Sequence, residues 1–163
     1  MRIESPADLQ RLMRTDYQLS EQQWAAVSAP PEPAVVIAGA GSGKTSLMAA
    51  RVVYLVATGQ VAPDQVLGLT FTTKATAELR ERIRESLDAA GLGRGLGEDG
   101  EPERLEPTVA TYNAYAATLL SEHGLLIGHE PDTRVLADAS RYQLAARVVD
   151  RLRAPVRQLT DSP

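Results

Sequence analysis

A glycine-rich turn, a lysine and a hydroxyl stand side by side in Ala38-Gly39-Ala40-Gly41-Ser42-Gly43-Lys44-Thr45. Glycine admits the backbone angles that let successive N–H groups face one point, which makes an anion nest. A helix opening near Lys44 adds the positive end of its dipole. Lys44 then serves as a mobile point charge for β- and γ-phosphate oxygens, and the Thr45 hydroxyl as a ligand for Mg²⁺. The spacing Ala38-x4-Gly43-Lys44-Thr45 is that of a phosphate-binding P-loop, with Ala where the strict pattern has Gly. The expected cradle therefore runs over Ala38, Gly39, Ala40, Gly41, Ser42, Gly43, Lys44, Thr45 and the adjoining Ser46, with Lys44 and Thr45 as its catalytic members. The competing reading is a glycine-rich strand-to-helix turn that binds nothing.

Such a loop needs a strand to aim it and a helix to receive it. The β-branched run Val35-Val36-Ile37 reads as a buried strand, and Lys44 to about Thr58 as a helix closed by Gly59. Upstream, Ser5-Pro6-Ala7-Asp8 reads as a helix start. Ser20 is a plausible N-cap with Gln23 at N3, so Gln23 has a purely local role open to it. Pro30-Pro31-Glu32-Pro33 breaks that helix and leads, extended, into the loop. Downstream, Val66 to Phe71 reads as a second buried strand. Thr72 or Thr73 caps a helix from Lys74 to about Ala90, with Ala75, Leu79, Ile83 and Leu87 inward and pairs such as Glu78–Arg82 in water. Residues 91–107, rich in Gly and acid, read as a mobile surface loop. A third strand over Thr108 to Thr111 precedes helices over Tyr112 to about His123 and Ala139 to Arg153. The alternation predicts an α/β layer on a parallel sheet, with ligands at the carboxyl ends of its strands.

Composition narrows the partners. At 44% hydrophobic and 23% charged, the chain has an ordinary globular balance; aromatics at 4% leave Ala, Val and Leu to fill the core. A net charge of −4 argues against binding nucleic acid by bulk electrostatics but leaves room for one local strip. Cysteine is absent, so no disulfide or thiolate metal site forms. No apolar run reaches membrane-spanning length, and the start of the chain reads as no signal peptide, which points to the cytoplasm and no membrane partner. Lys44 and Lys74 are the only lysines, and both fall in motif positions.

Taken in order, four segments resemble the N-terminal part of a UvrD/Rep/PcrA-like superfamily 1 DNA helicase. The first is Leu19-Ser20-Glu21-Gln22-Gln23, similar to the family's Leu-Asn-x-x-Gln with Ser20 for Asn; the likeness implies that Gln23 reads the adenine edge. The P-loop is the second, and Ser46 stands where the family often has Arg. The third, Thr70-Phe71-Thr72-Thr73-Lys74-Ala75-Thr76-Ala77-Glu78-Leu79-Arg80, is similar to the family segment that touches single-stranded DNA, with Thr73 for the usual Asn. A stacking role for Phe71 is weighed against a place in the core. Thr111-Tyr112-Asn113-Ala114-Tyr115 is the fourth, with Asn113 where the family has His. The resemblance thus implies ATP and Mg²⁺ as cofactors, single-stranded DNA and single/double-strand junctions as partners, and Thr70, Phe71, Thr72, Thr73, Lys74, Thr111 and Asn113 as DNA-binding residues.

The implied fold is a RecA-like P-loop NTPase sheet flanked by helices and incomplete. Residues 1–111 correspond to the front of the first ATP-binding domain, and residues 112–163 to the truncated start of a helical insertion. Further likeness in 50–55, 66–71, 124–126 and 130–134 points to an actinobacterial helicase–nuclease and to a second subunit of such an enzyme. No apolar strand ending in Asp-Glu follows Thr111, although the family hydrolyses ATP with such a pair. The stretch is therefore expected to bind ATP as part of a helicase translocating 3′ to 5′, yet to hydrolyse it poorly by itself. Other P-loop enzymes, or a non-catalytic adaptor, are the alternatives.

Overall fold

A computed structural model of the chain describes residues 2–39, 41–96, 102–130, 136 and 138–152. Its elements are α1 (Pro6–Met13), α2 (Glu21–Ser28), α3 (Lys44–Ala57), β1 (Leu67–Thr70), α4 (Thr73–Ala89), β2 (Arg94–Leu96), β3 (Pro102–Arg104), β4 (Thr108–Thr111), α5 (Tyr112–His123) and α6 (Asp138–Arg151). The chain divides into two compact units, Met1–Thr118 and Leu119–Pro163, with the boundary inside α5. Among the described residues no helix is long and apolar enough to cross a membrane.

The helix starts follow local chemistry. Ser5 caps α1 and Ser20 caps α2, each in a reciprocal capping box, and Thr72 caps α4 through the Ala75 N–H. Asp8, the third residue of α1, is held below the ordinary carboxylate range, first by the Ser5 hydroxyl and then by the Glu4 N–H. After α3, Gly59 takes a left-handed φ of 73°, as a residue just past a helix end does.

The core of the first unit forms where α1, α2, β1 and β4 pack on α3 and α4. It is built from Ile3, Leu9, Val27, Ala49, Val52, Val53, Leu79, Ile83, Leu87 and Val109. The Trp24 and Tyr54 rings meet edge to face at 5.7 Å, seating α2 on α3. Arg51 finishes that contact. Its guanidinium donates to the carbonyls of Val27, Ala29 and Pro30 at the end of α2. Partial burial lowers its pKa below the usual guanidinium value, with Tyr54 acting in the opposite sense. Charge-assisted bonds to orphan helix carbonyls are worth about 2 kcal/mol together. Arg51→Gln is expected to lower the thermal midpoint by roughly 5 °C, and Arg51→Lys by less, because an ammonium does not span three carbonyls. Circular dichroism melting curves read both; equal midpoints for Arg51→Gln and the unaltered chain would mean that water serves those carbonyls as well.

β1 and β4 pair in parallel with Leu67 opposite Thr108 and Thr70 opposite Thr111. The expected run Val35 to Ile37 is not a strand. It lies outside any regular element and is solvent-exposed, at 87%, 53% and 95%, so its apolar side chains find no sheet among the described residues. β1 is likewise shorter and less buried than its composition suggests: Leu67 is 43% exposed and Phe71 lies beyond its end. Within 91–107, where composition reads as a mobile surface loop, β2 and β3 pair antiparallel with Arg94 opposite Arg104. Arg104 ties it to α4 through Asp88 at 2.7 Å, and also pairs with Glu106 at 2.6 Å. The expected Glu78–Arg82 pair does not form: Glu78 faces Lys74 at 3.9 Å, and Arg82 turns to Ser46.

In the second unit a 3₁₀ turn over Gly124–Ile127 ends at Gly128 with φ 74°. α6 exposes Tyr142, Leu144, Val148 and Val149.

Candidate nucleotide site

α1, α2 and α4 each begin with a side-chain cap; α3 does not. Its N-cap is Gly43, with φ 78° and no side-chain hydrogen bond to the first turn. The first-turn N–H groups of α3 are thereby left to an outside acceptor. Gly41, at φ 74°, makes the second left-handed step of the loop. A Cβ built on Gly39 or Gly41 meets nothing within 4 Å, so the loop's outer face is open. Ser42 closes the turn on Gly39, its Oγ donating to the Gly39 carbonyl at 2.8 Å. Lys44 Nζ donates to the Ala38 carbonyl at 3.1 Å and to that of Gly39. The ammonium thus lies across the mouth of the loop, exposed, and among the described residues its hydrogen bonds go to the loop. Thr45, in the first turn of α3, is half-buried. Ala40 lies outside the described residues.

The loop fits a polyphosphate by donor chemistry: open backbone N–H groups, one mobile cation and a helix N-terminus. Among the described residues no cluster of three or more His, Asp or Glu side chains is placed to hold a metal ion. A divalent ion here would rest on Thr45 and on phosphate oxygens.

Gln23 reaches this loop from α2. Its Oε1 accepts from the Ser20 N–H at 2.9 Å, and its Nε2 donates to the Tyr17 hydroxyl at 2.6 Å and the Ser42 carbonyl at 3.1 Å. The cap role and a position beside the P-loop therefore hold together. Tyr17 was not signalled by the sequence: no motif includes it, and its contact with Gln23 spans six residues. The charge pattern of α4 places Arg82 on a solvated face, yet it donates to Ser46 Oγ. Tyr17, Ser46 and Arg82 line a cleft of about 460 Å³ with Arg14 and Glu85.

The proposed DNA residues gather elsewhere, at the carboxyl ends of β1 and β4. Because Thr70 stands opposite Thr111, the next residues, Phe71 and Tyr112, emerge together; their rings stack at 5.0 Å with a 33° tilt. Phe71 is 89% exposed and is not among the residues of the described core. Thr72, Thr73, Lys74 and Asn113 are exposed beside it. Thr70 Oγ1 is engaged with Thr76 and with the Thr72 carbonyl, and Thr111 Oγ1 caps α5 through the Ala114 N–H. Those two hydroxyls hold the turn rather than pointing outward unbonded.

The model of the UvrD/REP helicase N-terminal domain matches residues 19–161. The chain belongs to that family. The ATP-dependent DNA helicase UvrD2 of Mycobacterium tuberculosis is 49% identical over 79 residues, 48% of this chain and 11% of the relative. UvrD1 of Mycobacterium leprae is 37% identical over 110 residues, 68% of this chain and 13% of the relative. PcrA of Leuconostoc citreum is 32% identical over 140 residues, 86% of this chain and 17% of the relative. The chain thus spans a small fraction of the length of these UvrD-like relatives; the residues matched by the family model include Gln23, the P-loop, the Phe71 strip and Asn113.

Proposed function

We propose that residues 1–111 are the front of the first RecA-like motor domain of an ATP-dependent DNA helicase, and that 112–163 begin its helical insertion. The observation that carries this reading is the meeting of Gln23 with the P-loop at the Ser42 carbonyl. It sets a base-reading amide beside a phosphate-binding turn at one end of α3. In this reading the N–H groups of 41–46 and Lys44 hold the polyphosphate, and Thr45 ligates Mg²⁺. Bound ATP would supply the phosphoryl bond whose cleavage drives movement along DNA. Phe71, backed by Tyr112, offers a stacking platform for single-stranded DNA, with Lys74, Thr72, Thr73 and Asn113 along it; each base stacked on an aromatic ring is worth about 1–3 kcal/mol. Translocation 3′ to 5′, action at single/double-strand junctions, a second helicase–nuclease subunit and a cytoplasmic location are further parts of the proposal, supported by likeness to the family alone.

Calorimetric titration of ATP against GTP with Mg²⁺ tests the reading, on the chain and on Gln23→Ala. Adenine offers a donor and an acceptor on its N6/N7 edge where guanine offers two acceptors. ATP is expected to bind more tightly, with the preference lost in Gln23→Ala. Equal binding of both nucleotides to the unaltered chain would reduce Gln23 to a helix cap and favour a generic P-loop protein.

A further inference from the structure

Arg82 differs from the other arginines of α4 in where its charge goes. Arg84 pairs with Glu81 at 2.6 Å, and Arg80 donates to the Val109 carbonyl. Glu78 stands one turn before Arg82 at a spacing that favours an ion pair, yet it faces Lys74. Glu85, three residues on, lines the same cleft as Arg82. Among the described residues neither carboxylate lies within ion-pair distance of Arg82. Its guanidinium crosses instead to α3, where it donates to the neutral Ser46 Oγ. Arg82 is exposed, so a positive charge with spare N–H donors is held beside the third residue of α3.

That place adjoins the phosphate loop. Ser46 follows Lys44 and Thr45 in the first turn of α3. Tyr17 lines the same cleft of about 460 Å³; its hydroxyl lies 2.7 Å from where a Cβ on Gly43 would be, and it takes a hydrogen bond from Gln23 Nε2. Arg14 and Arg82 outweigh Glu85 among the lining charges. Lys44 does not line this cleft, since its ammonium lies over the carbonyls of Ala38 and Gly39. We propose that Arg82 is a nucleotide-binding residue supplied by α4, and that its guanidinium takes the α-phosphate of an adenine nucleotide seated on the loop. This rests on reading the loop as a polyphosphate site and Gln23 as the contact for the base. With the base at Gln23 and Lys44 on the far phosphates, the phosphate next to the ribose is left to the first-turn N–H groups of α3 and to Arg82. A guanidinium carries five N–H donors in a planar fork that matches two phosphate oxygens. One of those donors goes to Ser46 Oγ, which holds the fork at the loop before any nucleotide arrives and lowers the cost of ordering it. A bound nucleotide then bridges α3 and α4, the helix that opens at the Phe71 strip.

Calorimetric titration of ATP and of ADP with Mg²⁺ tests this on the unaltered chain, Arg82→Gln, Arg82→Lys and Lys44→Ala. Arg82→Gln and Arg82→Lys both keep a donor for Ser46 Oγ, and only Arg82→Lys keeps the charge. Arg82→Gln is expected to weaken ATP and ADP alike, by about tenfold each, the worth of one exposed charge-assisted hydrogen bond. Arg82→Lys is expected to lose clearly less. AMP, measured as a competitor against ADP, is expected to lose the same factor as ADP in Arg82→Gln, because all three nucleotides share the α-phosphate. A loss confined to ATP, or one that spares AMP, places the contact farther along the polyphosphate and overturns the proposal. Affinities unchanged in Arg82→Gln also overturn it, as does an equal loss in Arg82→Gln and Arg82→Lys, which would make the side chain a matter of shape and not of charge. If Lys44→Ala loses affinity while Arg82→Gln does not, the loop remains the polyphosphate site and the role of Arg82 alone falls. If the unaltered chain binds no nucleotide, or Lys44→Ala binds as tightly as the unaltered chain, both readings fall. Arg82 is exposed and its side chain is no part of the core, so melting curves of both Arg82 variants are expected to match that of the unaltered chain.

Discussion

Lys44→Ala is expected to weaken ATP binding in the presence of Mg²⁺ by about a hundredfold, with little effect on folding. Lys44 Nζ is exposed and bonds to loop carbonyls alone, those of Ala38 and Gly39. No core residue depends on it. A phosphate at the loop would exchange those neutral acceptors for anionic oxygens, and charge-assisted hydrogen bonds are worth roughly 1.5–3 kcal/mol each. Two lost contacts amount to about 3 kcal/mol, which is about a hundredfold in affinity. Alanine is also a good residue for the start of α3, so the helix should persist. Calorimetry gives the affinity, and a melting curve taken beside it shows whether the fold survives. Lys44→Arg separates charge from shape: a planar guanidinium keeps the charge but does not act as a compact point charge. If Lys44→Ala bound ATP as the unaltered chain does, the loop would be a turn and nothing more.

What was legible in the sequence was local. The caps at Ser5, Ser20 and Thr72 and the glycine after α3 depend on groups within a few residues of one another, and all four stand where their chemistry places them. The inward face of α4 was legible for the same reason: Leu79, Ile83 and Leu87 recur at helical spacing and are buried. What failed depended on distant partners. Val35 to Ile37 has the composition of a strand, but a strand is completed by a neighbour's hydrogen bonds, and β1 and β4 pair with each other instead. The β2–β3 hairpin was hidden because its alternation is of Gly, Arg and Glu rather than apolar residues, and Arg104 is fixed by Asp88 on α4. Within the site, the glycines, Lys44 and Gln23 could be named from spacing. Tyr17 and Arg82 could not, since each reaches its partner by a side-chain contact that no spacing records.

The seat of α4 decides whether the exposed strip at Phe71 to Lys74 has a rigid backing, and Leu79 is the residue that tests it. Leu79 is 2% exposed. Its Cδ2 lies 3.5 Å from the place a Cβ would take on Gly68, and the two methyl carbons of Val109 lie at the same distance. The side chains of Leu79 on α4 and Val109 on β4 therefore converge on Gly68 of β1. Leu79→Ala removes that wedge and leaves a cavity between helix and sheet. Buried leucine truncations cost about 2–5 kcal/mol, a large part of the stability of a domain of ordinary size. A drop of roughly 10 °C in thermal midpoint is expected. Leu67→Ala is the comparison, because Leu67 is a leucine of β1 but 43% exposed; its cost should be well under half as large. Urea titration followed by circular dichroism gives both values. Should the two substitutions cost the same, Leu79 would not be seating α4 on β1 and β4. Thr72, Thr73 and Lys74 would then stand on a helix end free to shift, and Phe71 would owe its position to Tyr112 alone.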